Sequence, residues 1–233
     1  MHFSGKHVVI TGGTGALGTA VVNALVGAGA LCTVPYVHED SARTSMLRDQ
    51  PNVKLVKIGS LADEGDVAKV YSPSSLPLWA SIHIAGGFAA GKITEIDKHA
   101  LMAQIDTNLT SCFLCCRAAV RSMVGKEGGR IVNVAARPAL EWRNGAGMTA
   151  YAVAKAGVAA LTAALAQEVA TNHILVNAVA PSIMDTPANR SAMPKANYDA
   201  WPKVDEVATT ILFLASPDNK VTRGAVVPVY GRS

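Results

Sequence analysis

Thr11-Gly12-Gly13-Thr14-Gly15-Ala16-Leu17-Gly18 decides how this chain is read. It follows the apolar run His7-Val8-Val9-Ile10, which has the character of a strand covered on both faces. It then opens a helix carrying Leu17, Val21, Val22, Leu25 and Val26. A glycine-rich turn between a strand and a helix start is suited to a phosphate. The first amides of the helix have no intrahelical partner, and the helix dipole favours an anion there. Gly12 supplies backbone angles closed to other residues, Gly15 lets a diphosphate approach, and Gly18 lets helix and strand pack closely. Glycine-rich turns also close ordinary loops, so the strand–turn–helix context carries the reading.

Working outward, apolar runs alternate with helical patterns, which predicts βαβ units and a parallel sheet. Strands are expected at Lys6–Thr11, Leu31–Tyr36, Val53–Ile58, Trp79–Ile84, Arg130–Ala135, Ile174–Ala180 and Ala225–Val229. Helices are expected at Gly18–Ala28, Ser41–Gln50, Asp63–Val70, Lys98–Val124, Ala150–Thr171 and Val204–Ala215. The expected fold is a single-domain, doubly wound α/β Rossmann-type sheet of about seven strands over 1–233, helices on both faces. Ser182–Lys203, with Pro187, Pro194 and Pro202 and little apolar periodicity, reads as a loop across the cleft mouth.

Composition removes several function classes. Half of the 233 residues are hydrophobic and 16% are charged, so nothing in the chain has the makeup of a disordered segment. A net charge of +4, dispersed and without interleaved aromatics, excludes the usual basis for nucleic-acid binding. The N-terminus runs directly into the first strand, and no apolar stretch reads as a membrane span, so a cytoplasmic location without membrane contact is expected. The cysteine trio Cys112, Cys115 and Cys116 has no histidine at ligand spacing in the sequence. It reads as core or subunit-interface packing, and no metal is expected.

The second strand ends at Tyr36, where NAD-binding folds usually place an acid for the ribose hydroxyls and NADP-binding folds accommodate a phosphate. Without that acid the balance tips slightly towards NADP, with His38 and Arg43 as phosphate partners; Glu39 and Asp40 more naturally start the next helix. Further on, Tyr151 and Lys155 lie four apart on one helix face. A phenol has a pKa near 10, and a neighbouring ammonium favours its ionised form.

With the glycine turn, these residues make the chain resemble the short-chain dehydrogenase/reductase family from Lys6 to its end. Ile84-Ala85-Gly86, Asn108, Arg130-Ile131-Val132-Asn133, the Tyr151/Lys155 pair and Val179-Ala180-Pro181 follow in family order. The resemblance implies NAD(P)H as cofactor, Tyr151 as general acid/base, Lys155 on the nicotinamide ribose, and Asn108 holding a water of the proton relay. It implies cofactor contacts from Gly12, Thr14, Gly15, Ala16, Leu17, Gly18, Tyr36, Ser60, Leu61, Ala85, Gly86, Pro181 and Thr186. It also implies a lid at 182–203 and pairing through two long helices. Their small-residue faces, including Ala118, Ala159 and Ala163, suit a homodimer or homotetramer.

Four departures stand out. Ala16 takes a usual glycine position, His83-Ile84 replace paired asparagines, Ser60 replaces an aspartate, and Ala136 stands where the family has its catalytic serine. Losing one such hydroxyl costs an ordinary ketone reductase roughly 10²–10³ in rate. Ala85-Gly86-Gly87-Phe88, Ala136 with Pro138-Ala139-Leu140, Asp185–Arg190, Tyr198 and Trp201 resemble the dihydropteridine reductases, which also lack the serine. This implies a small conjugated substrate such as quinonoid dihydropterin, in a pocket of Phe88, Ala136, Met184 and Trp201. A carbonyl/alcohol oxidoreductase, including the 3-oxoacyl type, and a catalytically weakened nucleotide sensor remain the alternatives.

Overall fold

The computed structural model describes residues 1–38 and 46–233. Seven parallel strands form one sheet: β1 (His7–Thr11), β2 (Leu31–Tyr36), β3 (Val53–Lys57), β4 (Leu78–His83), β5 (Gly129–Val134), β6 (Ile174–Pro181) and β7 (Val226–Val229). The order is β3-β2-β1-β4-β5-β6-β7, so the direction in which successive strands are added reverses between β1 and β4 and opens a crevice at their carboxyl ends. Each strand lies within one residue of its expected ends.

Strand side chains alternate between the faces, as a period of two requires. Val8 and Ile10 join the core beneath α1 (Ala16–Gly27), whereas Val9 faces the opposite core. On the far face lie α2 (Glu64–Val70), then α3 (Lys98–Ile105), α4 (Ser111–Met123) and α5 (Thr149–Glu168). The 182–203 segment carries α6 (Pro187–Ala192), and α7 (Val204–Ala215) covers the first face beside α1.

Three expectations change. The helix foreseen over Lys98–Val124 contains a π-turn at Asp106–Thr110, because the Asn108 amide takes the Gln104 carbonyl and pulls this turn toward Gly87. The segment expected as a loop at 182–203 is partly helical, capped by Thr186. Finally, α5 is long and apolar enough to cross a membrane by length and composition, contrary to the sequence reading. It is a layer of the α/β core instead, with Val158, Thr162 and Ala166 buried beneath it. The helix expected at Ser41–Gln50 falls partly on residues 39–45, outside the described ones.

Candidate active site

The glycine turn has the shape of a diphosphate cradle. Gly12 has φ +68°, and a Cβ there would stand 2.6 Å from the Ala85 amide nitrogen. A Cβ on Gly18 would collide with the Gly12 carbonyl. Gly15 is the N-cap of α1, with no side-chain cap and no acid in the first turn. The amides of Ala16 and Leu17 are therefore left for an anion. Thr11 Oγ1 accepts the Ala85 amide at 3.3 Å, tying the turn to the end of β4.

Downstream of this turn a cleft of about 220 Å³ is lined by Leu17, Gly86, Phe88, Asn108, Ala136, Tyr151, Lys155, Pro181 and Met184. Sequence-distant residues thus converge because β1, β4, β5 and β6 all end at the same edge. Ile84 and Ser182 also line it and were not foreseen. Only the register of the sheet could have signalled them.

Lys155 is buried, and its Nζ donates to the Val134 carbonyl at 2.8 Å. Burial lowers its pKa to about 8, partly opposed by the nearby Cys112. Burial raises the Tyr151 phenol to about 12. The expected lowering by Lys155 is therefore not seen in the chain alone. The ammonium stands 5.9 Å from the phenol ring centre, and desolvation outweighs it.

Asn108 is 1% exposed, and its side chain is already spent. Its amide donates to the Gly87 and Gln104 carbonyls, and its oxygen accepts the Gly87 amide. It holds the 86–87 backbone at the cleft rather than leaving its amide free for a water. Phe88 is 62% exposed, with its ring edge-on to Tyr151 at 5.1 Å between centres, so it belongs to the cleft and not the core. Ala136 closes the wall at the end of β5.

The remaining residues of the expected site have the following surroundings. Trp201 is buried against Tyr198 and lines a separate cavity of about 540 Å³ with Lys203, Glu206 and Arg232, away from Tyr151. Thr186 spends its hydroxyl capping α6. The turn at Ser60 is held by Asp66, whose Oδ2 accepts the Gly59 and Ser60 amides at 2.7 and 2.9 Å, with Leu61 packed nearby. Lys69, then those amides, hold the Asp66 carboxyl at about 2. Tyr36 ends β2 opposite Lys57 of β3, a basic neighbour that no local pattern announces. His38 is exposed beyond β2, while Glu39, Asp40 and Arg43 lie outside the described residues. The 182–203 segment is pinned through Asp185, which accepts from Arg190 at 2.6 and 2.8 Å and from Lys203 at 2.5 Å. The spacing argument against a metal also needs correcting, because the fold carries His83 from β4 to Cys112 and Cys116.

The family model described as short chain dehydrogenase matches residues 6–197. Galactitol 2-dehydrogenase of Rhizobium johnstonii is 34% identical over 97% of this chain and 93% of its own length. The 3-oxoacyl-[acyl-carrier-protein] reductase of Chlamydia muridarum is 27% identical over 97% and 96%. A short-chain type dehydrogenase/reductase structure from Mycobacterium ulcerans superimposes with a TM-score of 0.88 at 23% identity, covering 100% of this chain and 90% of that one. This chain belongs to the short-chain dehydrogenase/reductase family, a family of oxidoreductases. These relatives are named for alcohol dehydrogenation and 3-oxoacyl reduction, so the narrower resemblance to dihydropteridine reductases draws no support from them.

Proposed function

We propose that this chain is an NAD(P)(H)-dependent oxidoreductase in which Tyr151 alone exchanges a proton with the substrate, and that the substrate is a small conjugated ring such as a quinonoid dihydropterin. The observation that carries this reading is the composition of the cleft: Tyr151 faces the exposed ring of Phe88, and the wall at Ala136 offers no hydroxyl. The dinucleotide fits the residues present. The uncapped start of α1 suits its diphosphate, Tyr36 and Ser60–Leu61 would hold the adenosine end, and Ala85 and Gly86 border the crevice. Lys155 keeps two donors that would hold the nicotinamide ribose, and Pro181 and Thr186 would lie toward the carboxamide. When bound, the nicotinamide supplies or accepts the hydride.

The chain's own residues supply the rest. With its pKa at about 12, Tyr151 is protonated at neutral pH and can donate in the reductive direction. Lys155 is charged below about pH 8 and stabilises negative charge developing on the phenol oxygen. Asn108 holds the backbone that shapes the cleft floor. Phe88 and Met184 exclude water and favour a flat, apolar ligand. Tyr36 beside Lys57 suits the extra phosphate of NADP. The enzyme is read as cytoplasmic.

A second reading, interconversion of an alcohol and a carbonyl, is favoured by the names of the relatives. Parallel NADH and NADPH oxidation assays with quinonoid dihydropterin, polyol-derived ketones and 3-oxoacyl thioesters separate the two. Turnover of the pterin in the wild type, with ketone reduction gained by about 10-fold or more in Ala136→Ser, is the expected outcome. Ketone turnover unaffected by Ala136→Ser would sink it. Tight nucleotide binding with no turnover of any substrate would point to a sensor.

Self-association is part of the proposal. Leu101 and Met102 of α3, Phe113 of α4 and Val153 of α5 are exposed apolar residues on the helices expected to pair. Light scattering at micromolar concentration should read a dimer or tetramer, and a monodisperse monomer would refute it.

A further inference from the structure

His83, Cys112 and Cys116 play no part in the chemistry above, yet the fold brings them together behind Lys155. Their ligand atoms lie within 4.8 Å of one another, and all three side chains are buried. Cys112 and Cys116 stand one turn apart on the inner face of α4, and His83 ends β4. Asn133, on the neighbouring strand β5, adds a fourth atom. Cys116 Sγ is 3.5 Å from both His83 Nδ1 and Asn133 Oδ1, and those two atoms are 2.8 Å apart. Around tetrahedral zinc, with Zn–S near 2.3 Å and Zn–N near 2.0 Å, neighbouring ligand atoms stand roughly 3.3–3.8 Å apart. Small side-chain adjustments convert one arrangement into the other.

We propose that His83, Cys112, Cys116 and the side-chain oxygen of Asn133 form a structural Zn²⁺ site beneath the catalytic cleft. Binding replaces two thiol protons, which leave to solvent, with one divalent ion. The resulting site has no net charge, which is what a fully buried position tolerates. Ca²⁺ and Mg²⁺ require oxygen-rich shells, which this sulfur and nitrogen set does not offer. The surrounding hydrogen bonds also suit the ion. Moving the His83 proton from Nδ1 to Nε2 frees Nδ1 for zinc and directs the other N–H at Ser81 Oγ, 2.8 Å away. Tyr71 Oη lies 2.7 Å from the same hydroxyl. Asn133 is oriented by donating to Thr162 Oγ1 at 2.9 Å, which leaves its oxygen facing the cluster. Without an ion the same oxygen accepts the His83 N–H and the Cys116 S–H. The site can therefore form whether or not zinc is present during folding. It would join β4, β5 and α4 directly under Val134, whose carbonyl holds Lys155.

Untagged full-length protein from zinc-supplemented cultures, and the same protein unfolded and refolded under reducing conditions with Zn²⁺, should each retain about one zinc per chain after desalting. Refolding with Co²⁺ should give the visible bands and thiolate charge-transfer absorption of a tetrahedral sulfur site. Cys112→Ala and Cys116→Ala should lose both signals. Cys115→Ala should keep them, because Cys115 faces Val67 and Leu114 in a separate cluster. Alanine is close to a buried thiol in size and polarity, so these variants should fold, and the cobalt spectrum of the wild type reads the site without any substitution. Less than about one-tenth of an equivalent in both wild-type preparations would overturn the proposal. So would zinc retention in Cys112→Ala and Cys116→Ala equal to that of the wild type.

Discussion

Tyr151→Phe should lower kcat by about 10²–10⁴-fold while leaving the affinity for NAD(P)H nearly unchanged. The substitution removes one oxygen and keeps the ring that meets Phe88 edge-on at 5.1 Å. The walls of the cleft are thereby preserved, and only the proton is lost. In the wild type the phenol is raised by burial to about 12, so its protonated form dominates throughout the neutral range. Reduction should then be nearly independent of pH up to about 8, whereas the reverse oxidation, which needs the phenolate, should accelerate as pH rises. Stopped-flow turnover and fluorescence titration of the cofactor measure the two halves separately. Retained turnover in the variant would remove Tyr151 from the proton-transfer role.

Lys155→Met should abolish activity and at the same time stabilise the cofactor-free protein. The lysine is 5% exposed, and its pKa falls from 10.5 to about 8 through burial. Between those values the unfolded chain binds a proton that the folded chain does not, so stability rises with pH across that window. Below about pH 8 the folded protein carries the whole cost of burying the charge, roughly 3 kcal/mol. Methionine fills a similar volume without that cost. The Val134 carbonyl loses its donor, which offsets roughly 1–2 kcal/mol of the gain. A net stabilisation of about 1–2 kcal/mol at pH 7 corresponds to a Tm higher by about 2–8 °C. The advantage should shrink as pH climbs from about 8 towards 10.5, because the wild-type lysine is then neutral in the fold. A variant that melts lower than the wild type at pH 7, or an advantage unchanged by pH, would contradict this account. Turnover should fall by at least about 10²-fold, since the phenol loses its charged neighbour.

Local rules wrote most of this architecture. The seven strands were legible because the inner ones are apolar runs flanked by turn residues and buried on both faces, and the half-buried edge strands β3 and β7 keep enough Val and Leu to read as strands. Thr11–Gly18 declared its phosphate-binding shape because Gly12 and Gly18 meet backbone where no side chain fits. Tyr151 and Lys155 were readable as a pair because four residues make one helical turn.

The tertiary structure decided whatever depends on register and burial. Desolvation in the folded cleft, not sequence proximity, determines that Tyr151 rises in pKa. Trp201 sits apart from Tyr151, because the 182–203 segment folds its own aromatic contacts around Asp185 and Arg190. Asn108 could be located by motif, but only the π-turn reveals that its amide is consumed by Gly87 and Gln104. His83 and the α4 cysteines are far apart along the chain, so no spacing rule could join them. They meet because a parallel sheet carries the end of β4 to the start of α4. Helical turns and strand runs are local and therefore readable; side chains contributed by separate strands become neighbours only when the sheet register is set.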